Sequence, residues 1–311
     1  MSNSSFSYLV TSYNQPKFCA YTTWSNYPIT FAINNMVGLQ PYGIFINRNN
    51  TIYVTDQENG RIHIWFDDSA NPTSTLAEYL SVPSSIFVTA KGDIYVNNDN
   101  LTGQIDKWSL DTNTSVVAMN IGGKCFGLFV DINDTLYCSM RDLHQVVAKS
   151  LNNVSDILTI VAGMGCIGNT TNKLNLPHGI FVNINFDLYV ADCGNNRIQL
   201  FQSNQLSGTT VAGEGAINTI TLSCPTGIVL DADNYLFIVD SNNNRIVGSG
   251  PNGFRCLAGC SPSWCSSSNQ LNHPLSLSFD NYGNMFVVDR DNHRIQKFLL
   301  SSNSSGKNEN I

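Results

Sequence analysis

One block of residues returns along this chain in fixed order. Pro177-His178-Gly179-Ile180, Leu188-Tyr189-Val190-Ala191-Asp192 and Asn195-Asn196-Arg197-Ile198 come back as Pro225-Thr226-Gly227-Ile228, Leu236-Phe237-Ile238-Val239-Asp240 and Asn243-Asn244-Arg245-Ile246. Looser copies open at Pro41, Pro83, Cys125 and Pro274, giving six units. An apolar residue followed by alanine gives the same count, at Phe31-Ala32, Leu76-Ala77, Val117-Ala118, Val161-Ala162, Val211-Ala212 and Leu257-Ala258. A period of roughly 40–50 residues means that one supersecondary unit is copied around an array.

Each unit reads as four short strands. The runs are rich in β-branched and aromatic residues and are bounded by Asn, Asp and Gly, and no stretch sustains a 3.6-residue period. Six such units predict an all-β fold, a six-bladed β-propeller of four-stranded antiparallel blades. The phase of the markers predicts how it closes. The first alanine run, 27–33, precedes the first Pro-x-Gly step, and the sixth unit stops after its third strand near Leu300. The amino-terminal strand should therefore complete the last blade from outside and leave no free edge. The expected division is a polar segment at 1–26, the propeller at 27–300 and a disordered tail at 301–311.

Composition narrows the partners. A net charge of −7 without a cluster of Lys and Arg argues against nucleic acid, although a local basic patch on one face stays open. No apolar run approaches the roughly 18 residues of a membrane span. The first residues lack the basic and apolar regions of a secretory signal, so the expectation is an internal protein or an excised piece of a longer chain. Nine cysteines, mostly in expected loops, favour an extracellular setting, with a cytoplasmic one as the alternative. The candidate staples are Cys260 with Cys265, and Cys166 with Cys193, with Cys224 close by. Asn-x-Ser/Thr sequons at Asn3, Asn49, Asn100, Asn113, Asn133, Asn153, Asn169 and Asn303 are about as frequent as this composition gives by chance.

Most recurring residues read as structural. Asp56 and Arg61, Asp192 and Arg197, Asp240 and Arg245, and Asp289 and Arg294 flank one tight connection at a common spacing. The Asp suits hydrogen bonds from turn amides, and the Arg suits a carboxylate or backbone carbonyls. The third unit carries Met140 and Gln145 instead, and the second Asn98 and Gln104. Joint loss suggests that the two act together. Tyr53, Tyr95, Tyr137, Tyr189, Phe237 and Phe286 share one position and read as a layer between blades. The repeated alanines would mark places where neighbouring blades pack too closely for a larger side chain.

These residues resemble the NHL-repeat family. The Leu-Tyr-Val-x-Asp run, the Asn-x-Arg-Ile step (Asn292-His293-Arg294-Ile295 is close to the name-giving tripeptide) and the Thr-Val-Ala-Gly run at 210–213 carry the resemblance, which extends from about residue 27 to 300. It implies a six-bladed propeller and leaves the activity open, since similar propellers serve as extracellular sensor domains, as binding ends of ubiquitin ligases and as a peptide-amidating lyase.

Function has to come from a site. The residue between Pro and Gly begins each innermost strand, so Tyr42, Ser84, Phe126, His178, Thr226 and Leu275 form the expected ring at one channel mouth. Such a ring suits a peptide tip or a small ligand, or it merely plugs the channel. Zinc catalysis of the lyase type would need three converging histidines, and only His178 holds a ring position; His273 precedes Pro274, His63 lies on a third strand, and His144 and His293 lie in connections. A calcium-dependent lactonase would need carboxylates in the channel, whereas Asp131, Asp134, Asp231 and Asp233 fall in turns. No Gly-x-Ser-x-Gly step supports a serine nucleophile. The expectation is a non-enzymatic recognition module for a protein, peptide or glycan, with no catalytic residue, metal or cofactor. The alternatives are a metal-dependent enzyme of the lyase or lactonase type and the substrate-binding end of a ubiquitin ligase.

Overall fold

The computed structural model describes residues 11–66, 69–76, 80–98, 103–153, 157–260 and 270–303. Ala77, Cys265, Asn3, Asn100 and the tail from 304 lie outside the described residues. Six four-stranded antiparallel sheets form the blades of a propeller. Blade one runs outward from Pro41–Ile46 through Ile52–Asp56 and Arg61–Trp65 to Ser74–Leu76, and blades two to five repeat that order. Blade six takes its inner three strands from Pro274–Phe279, Met285–Asp289 and Arg294–Phe298, and its outer strand from Ile29–Ala32. That outer strand pairs antiparallel with the third, Ile29 opposite Lys297 and Ala32 opposite Ile295, as the phase of the repeats predicts. A second short pair, Thr23–Trp24 against Leu300–Ser302, zips the two chain ends together once more.

Segments outside 27–300 also pack on the ring. Residues 11–24 lie against the propeller instead of preceding it. Tyr13 bridges to Asn47, and Trp24 is buried with its Nε1 donating to the Gly283 carbonyl at 2.9 Å. Residues 301–303 are likewise ordered, and Asn303 Oδ1 accepts from the Cys19 amide at 2.7 Å. A polar composition concealed these contacts because a few buried side chains and carboxamide bonds suffice to dock a short segment.

The predicted inter-blade layer is present, with Tyr53, Tyr95, Tyr137, Tyr189, Phe237 and Phe286 all buried. The alanine marker holds in blades three to six, where Ala162, Ala212, Ala258 and Ala32 face Val146, Ile198, Ile246 and Ile295. In blade one that place holds Leu76 opposite Ile62, and in blade two Met119 opposite Ile105. A bulge between Val117 and Met119 shifts the register, so Ala118 is not the equivalent residue and the spot tolerates a long side chain.

The Asp–Arg unit ties each turn to the connection before it. In blades four, five and six the Arg Nε donates to the Asp Oδ2 at 2.7 Å. The Asp Oδ1 also accepts a backbone amide from the preceding loop, those of Asn175, Ser223 and Asn272. The residue before the Arg is left-handed, with φ near 53° at Asn196 and Asn244 and 64° at Gly60, which explains the Asn and Gly there. Blade one departs from the pattern. Asp56 pairs with His63 Nε2 at 3.2 Å, and Arg61 Nε is buried without a partner among the described residues. Blade two moves its carboxylate one strand outward: Asp106 accepts from both Asn98 at 2.8 Å and Gln104 at 2.7 Å.

Candidate functional site

The inner strands begin at one end of the central channel, and that end is shaped by close approach of backbones. A Cβ on Gly179 would stand 2.4 Å from the Thr226 carbonyl oxygen, and one on Gly127 2.5 Å from that of His178. Only glycine lets these inner strands lie so near, and the residue before it lines the channel mouth; Ser85 and Ser276 hold the same place in blades two and six. Tyr42, Ser84, Phe126, His178, Thr226 and Leu275 accordingly line one cavity of about 110 Å³. Ser84 reaches it differently. The blade-two inner strand starts only at Ile86, and the carboxamide oxygen of Asn97 accepts the amides of Ser84 and Ser85 at 2.6 and 2.7 Å in place of a ladder.

Aromatic contacts give the ring its order. The Phe126 ring sits 5.2 Å from the His178 imidazole and 6.2 Å from the Tyr42 ring. Below them the cavity wall carries Ile44, Ile86, Leu128, Ile180, Ile228 and Leu277 together with Ser85, Ser276 and Ser278. The floor is not a repeat residue at all. Tyr13 and Asn14 cross the far end, Tyr13 edge-on to Phe129 at 5.4 Å and Phe181 at 5.3 Å. The channel is therefore closed at the end where inner strands finish.

A second circle of residues stands above the ring, one after each second strand: Gln57, Arg141, Cys193, Ser241 and Arg290 among the described residues. Gln57 Nε2 donates to Ser84 Oγ at 3.1 Å, and the Arg141 guanidinium lies over the Phe126 ring at 5.2 Å. Four polar atoms here are buried without a hydrogen-bond partner among the described residues: Arg141 Nε, Ser241 Oγ, Arg290 Nε and His273 Nδ1. Burial pushes the His178 imidazole down to about 3, helped by the nearby charges of Arg141 and His273. His273 is lowered too, by burial foremost, with Asp291 opposing and Arg290 assisting. Sequence reasoning passed over this circle because its residue type changes in every unit. Its one signal was position, directly after the Asp of each Asp–Arg unit.

Each histidine now has a place. His63 bonds Asp56, His144 Nδ1 accepts the Leu176 amide at 3.1 Å, and His293 Nδ1 contacts the Leu39 carbonyl. Among the described residues no three His, Cys, Asp or Glu side chains are grouped to hold a metal. Asp131 and Asp231 accept turn amides, those of Thr135 at 2.9 Å and Tyr235 at 2.8 Å. Asp134 and Asp233 pair with Lys91 and Lys17 at the surface.

The cysteines pair otherwise than expected. Cys193 joins Cys224, not Cys166, because it opens the turn after a blade-four strand beside the residue that leads into blade five, with Cα atoms 3.9 Å apart. Cys260 joins Cys256 at the end of the blade-five outer strand, and Cys125 joins Cys138 within blade three. Cys166 is an exposed thiol and Cys19 a half-buried one. Three disulfides suit an oxidising environment. No helix among the described residues is long and apolar enough to cross a membrane.

No family model matches the chain, and no curated protein sequence matches it. Solved structures do. An auxiliary nutrient binding protein from Bacteroides thetaiotaomicron superposes with a TM-score of 0.68 at 16% identity, over 94% of this chain and 76% of that one. A virginiamycin B lyase from Staphylococcus aureus gives 0.61 at 12% identity, over 90% of this chain and 100% of the other. A chain of a nidogen–laminin complex gives 0.55 at 17% identity, over 68% and 76%. Likeness at such identities establishes the β-propeller fold and leaves the ligand to the site itself.

Proposed function

We propose that this chain is an NHL-type propeller acting as a non-enzymatic recognition module outside the cell, taking a protein, peptide or glycan at the channel end where its inner strands begin. The observation that carries this reading is the difference between the two ends. One is sealed by the chain's own segment at 11–18. The other presents a ring of mixed aromatic, hydroxyl and imidazole character under buried polar atoms that no described residue satisfies. Buried donors without partners are costly, and a ligand that meets them recovers that cost. A nutrient-binding propeller among the similar structures supports binding as the mode of action. The disulfides speak against the ubiquitin-ligase alternative, which belongs to a reducing compartment.

Peptide and glycan arrays probed with the disulfide-intact protein test the reading. Phe126→Ala and Tyr42→Ala should weaken every specific signal, and Lys91→Ala and Ile184→Ala on the opposite face should leave it unchanged. Signals lost through the opposite face instead, or turnover accompanied by stoichiometric zinc or calcium, would overturn it.

A further inference from the structure

Resting on that reading, we infer that the open mouth selects a carboxylate carrying a compact branched apolar group, its charged head between Arg141 and Arg290 and its apolar body in the tube beneath. The two arginines belong to blades three and six, three steps apart in a ring of six, so they stand on opposite sides of the channel. They differ from three of the other four arginines of the same turns, with Arg61 sharing an unpaired Nε among the described residues. Arg197, Arg245 and Arg294 each spend Nε on their own aspartate at 2.7 Å. Arg141 has the face of Phe126, and Arg290 has only a long 3.3 Å contact from Nη1 to exposed Asp291; both Nε atoms are buried and unpaired among the described residues.

A chain of net charge −7 thus places two cations with unspent guanidinium donors beside the channel end that its own segment leaves open. Guanidinium groups match the planar, two-oxygen geometry of a carboxylate, and the low dielectric of a half-buried mouth strengthens the pairing. The apolar requirement comes from the wall. Ile44, Leu128, Ile180 and Leu277 stand there beside Ser85 and Ser278, whose hydroxyls already accept the Leu128 and Ile46 amides at 2.8 and 3.2 Å. The cavity of about 110 Å³ is smaller than the roughly 150 Å³ that admits benzene, which points to an isobutyl or isopropyl group. Free branched acids and the C-terminal residue of a peptide share this chemistry.

Calorimetric titration with N-acetyl-leucine and N-acetyl-leucinamide isolates the charge. The acid should bind about ten- to a hundredfold more tightly than the amide, the range expected for hydrogen bonds to a charged group. The double variant Arg141→Gln/Arg290→Gln, checked for an unchanged melting temperature, should lose that preference. Equal binding of acid and amide, no saturable binding of the acid, or a preference that survives in the double variant would each refute the assignment. A hexapeptide ending in leucine, as acid and as amide, separates the sources. Tighter binding of the peptide acid than of N-acetyl-leucine identifies a chain terminus as the ligand, and equal binding identifies free acids; either upholds the chemistry. If acid and amide are indistinguishable while Phe126→Ala still weakens array binding, the carboxylate assignment fails and the recognition reading stands.

Discussion

The two ends of the channel are built on the same six-fold frame and finish in opposite ways. At the lower end a non-repeating segment satisfies the frame. Tyr13 stacks edge-on against Phe87, Phe129 and Phe181 at 6.3, 5.4 and 5.3 Å. Asn14 Nδ2 donates to the Asn47 and Phe279 carbonyls at 2.9 and 3.0 Å, and Gln15 Nε2 reaches those of Leu230 and Asp231 at 3.4 Å. At the upper end Arg141 Nε, Ser241 Oγ, Arg290 Nε and His273 Nδ1 have no partner among the described residues. A closed repeat array thus becomes one-ended through a segment that belongs to no repeat, and stability and recognition separate along its axis.

The largest effect should come from the floor. Tyr13→Ala removes three aromatic contacts and opens the channel from below, at a cost of about 3 kcal/mol in urea denaturation. A loss below about 1 kcal/mol would mean that the segment is merely laid against the propeller.

Acid should act through the ring. The folded state holds His178 neutral down to about 3, while the unfolded chain protonates it near 6.5. Its contribution is therefore complete above the unfolded value and is lost as pH falls toward about 3. At pH 4.5 the native protein should have lost roughly 2–3 kcal/mol relative to a His178→Gln variant, both referenced to pH 8. Parallel stability curves for the two proteins would contradict a buried neutral imidazole.

Smaller effects sharpen the contrast. Asn14→Ala leaves two carbonyls without their donor and should cost about 1–2 kcal/mol. Arg141→Gln and Arg290→Gln should each change the melting free energy by no more than about 1 kcal/mol, because their surviving contacts are a ring face and an exposed ion pair. Were the upper arginines to matter more for stability than Asn14, the division of labour between the ends would be wrong.

Features copied in phase were readable from residues alone. The strand order, the closure by Ile29–Ala32 and the Tyr53-to-Phe286 layer all follow from equal positions recurring in each unit. The six ring residues, expected from the step that opens each unit, line one cavity. What escaped was everything that breaks phase. The docked segment around Tyr13 has no counterpart elsewhere in the chain. The Cys193–Cys224 bond joins residues of adjacent blades, and such proximity across an interface leaves no trace in spacing. A bulge displaced Ala118, and His63 took over Asp56 from Arg61 because a second donor on the third strand competes for the same carboxylate. Arg141 and Arg290 were hidden by variability itself: a repeat is recognised by what stays constant, whereas a ligand is met by what changes.

Methyl resonances of isoleucine test the one-ended channel most directly. Ile44, Ile86, Ile180 and Ile228 line the cavity below the ring, and Ile132 and Ile184 line the groove beside Tyr13 on the opposite face. On titration with N-acetyl-leucine the first four should shift together and saturate while the last two stay in place. Movement of Ile132 and Ile184, or no movement of the channel four, would contradict it.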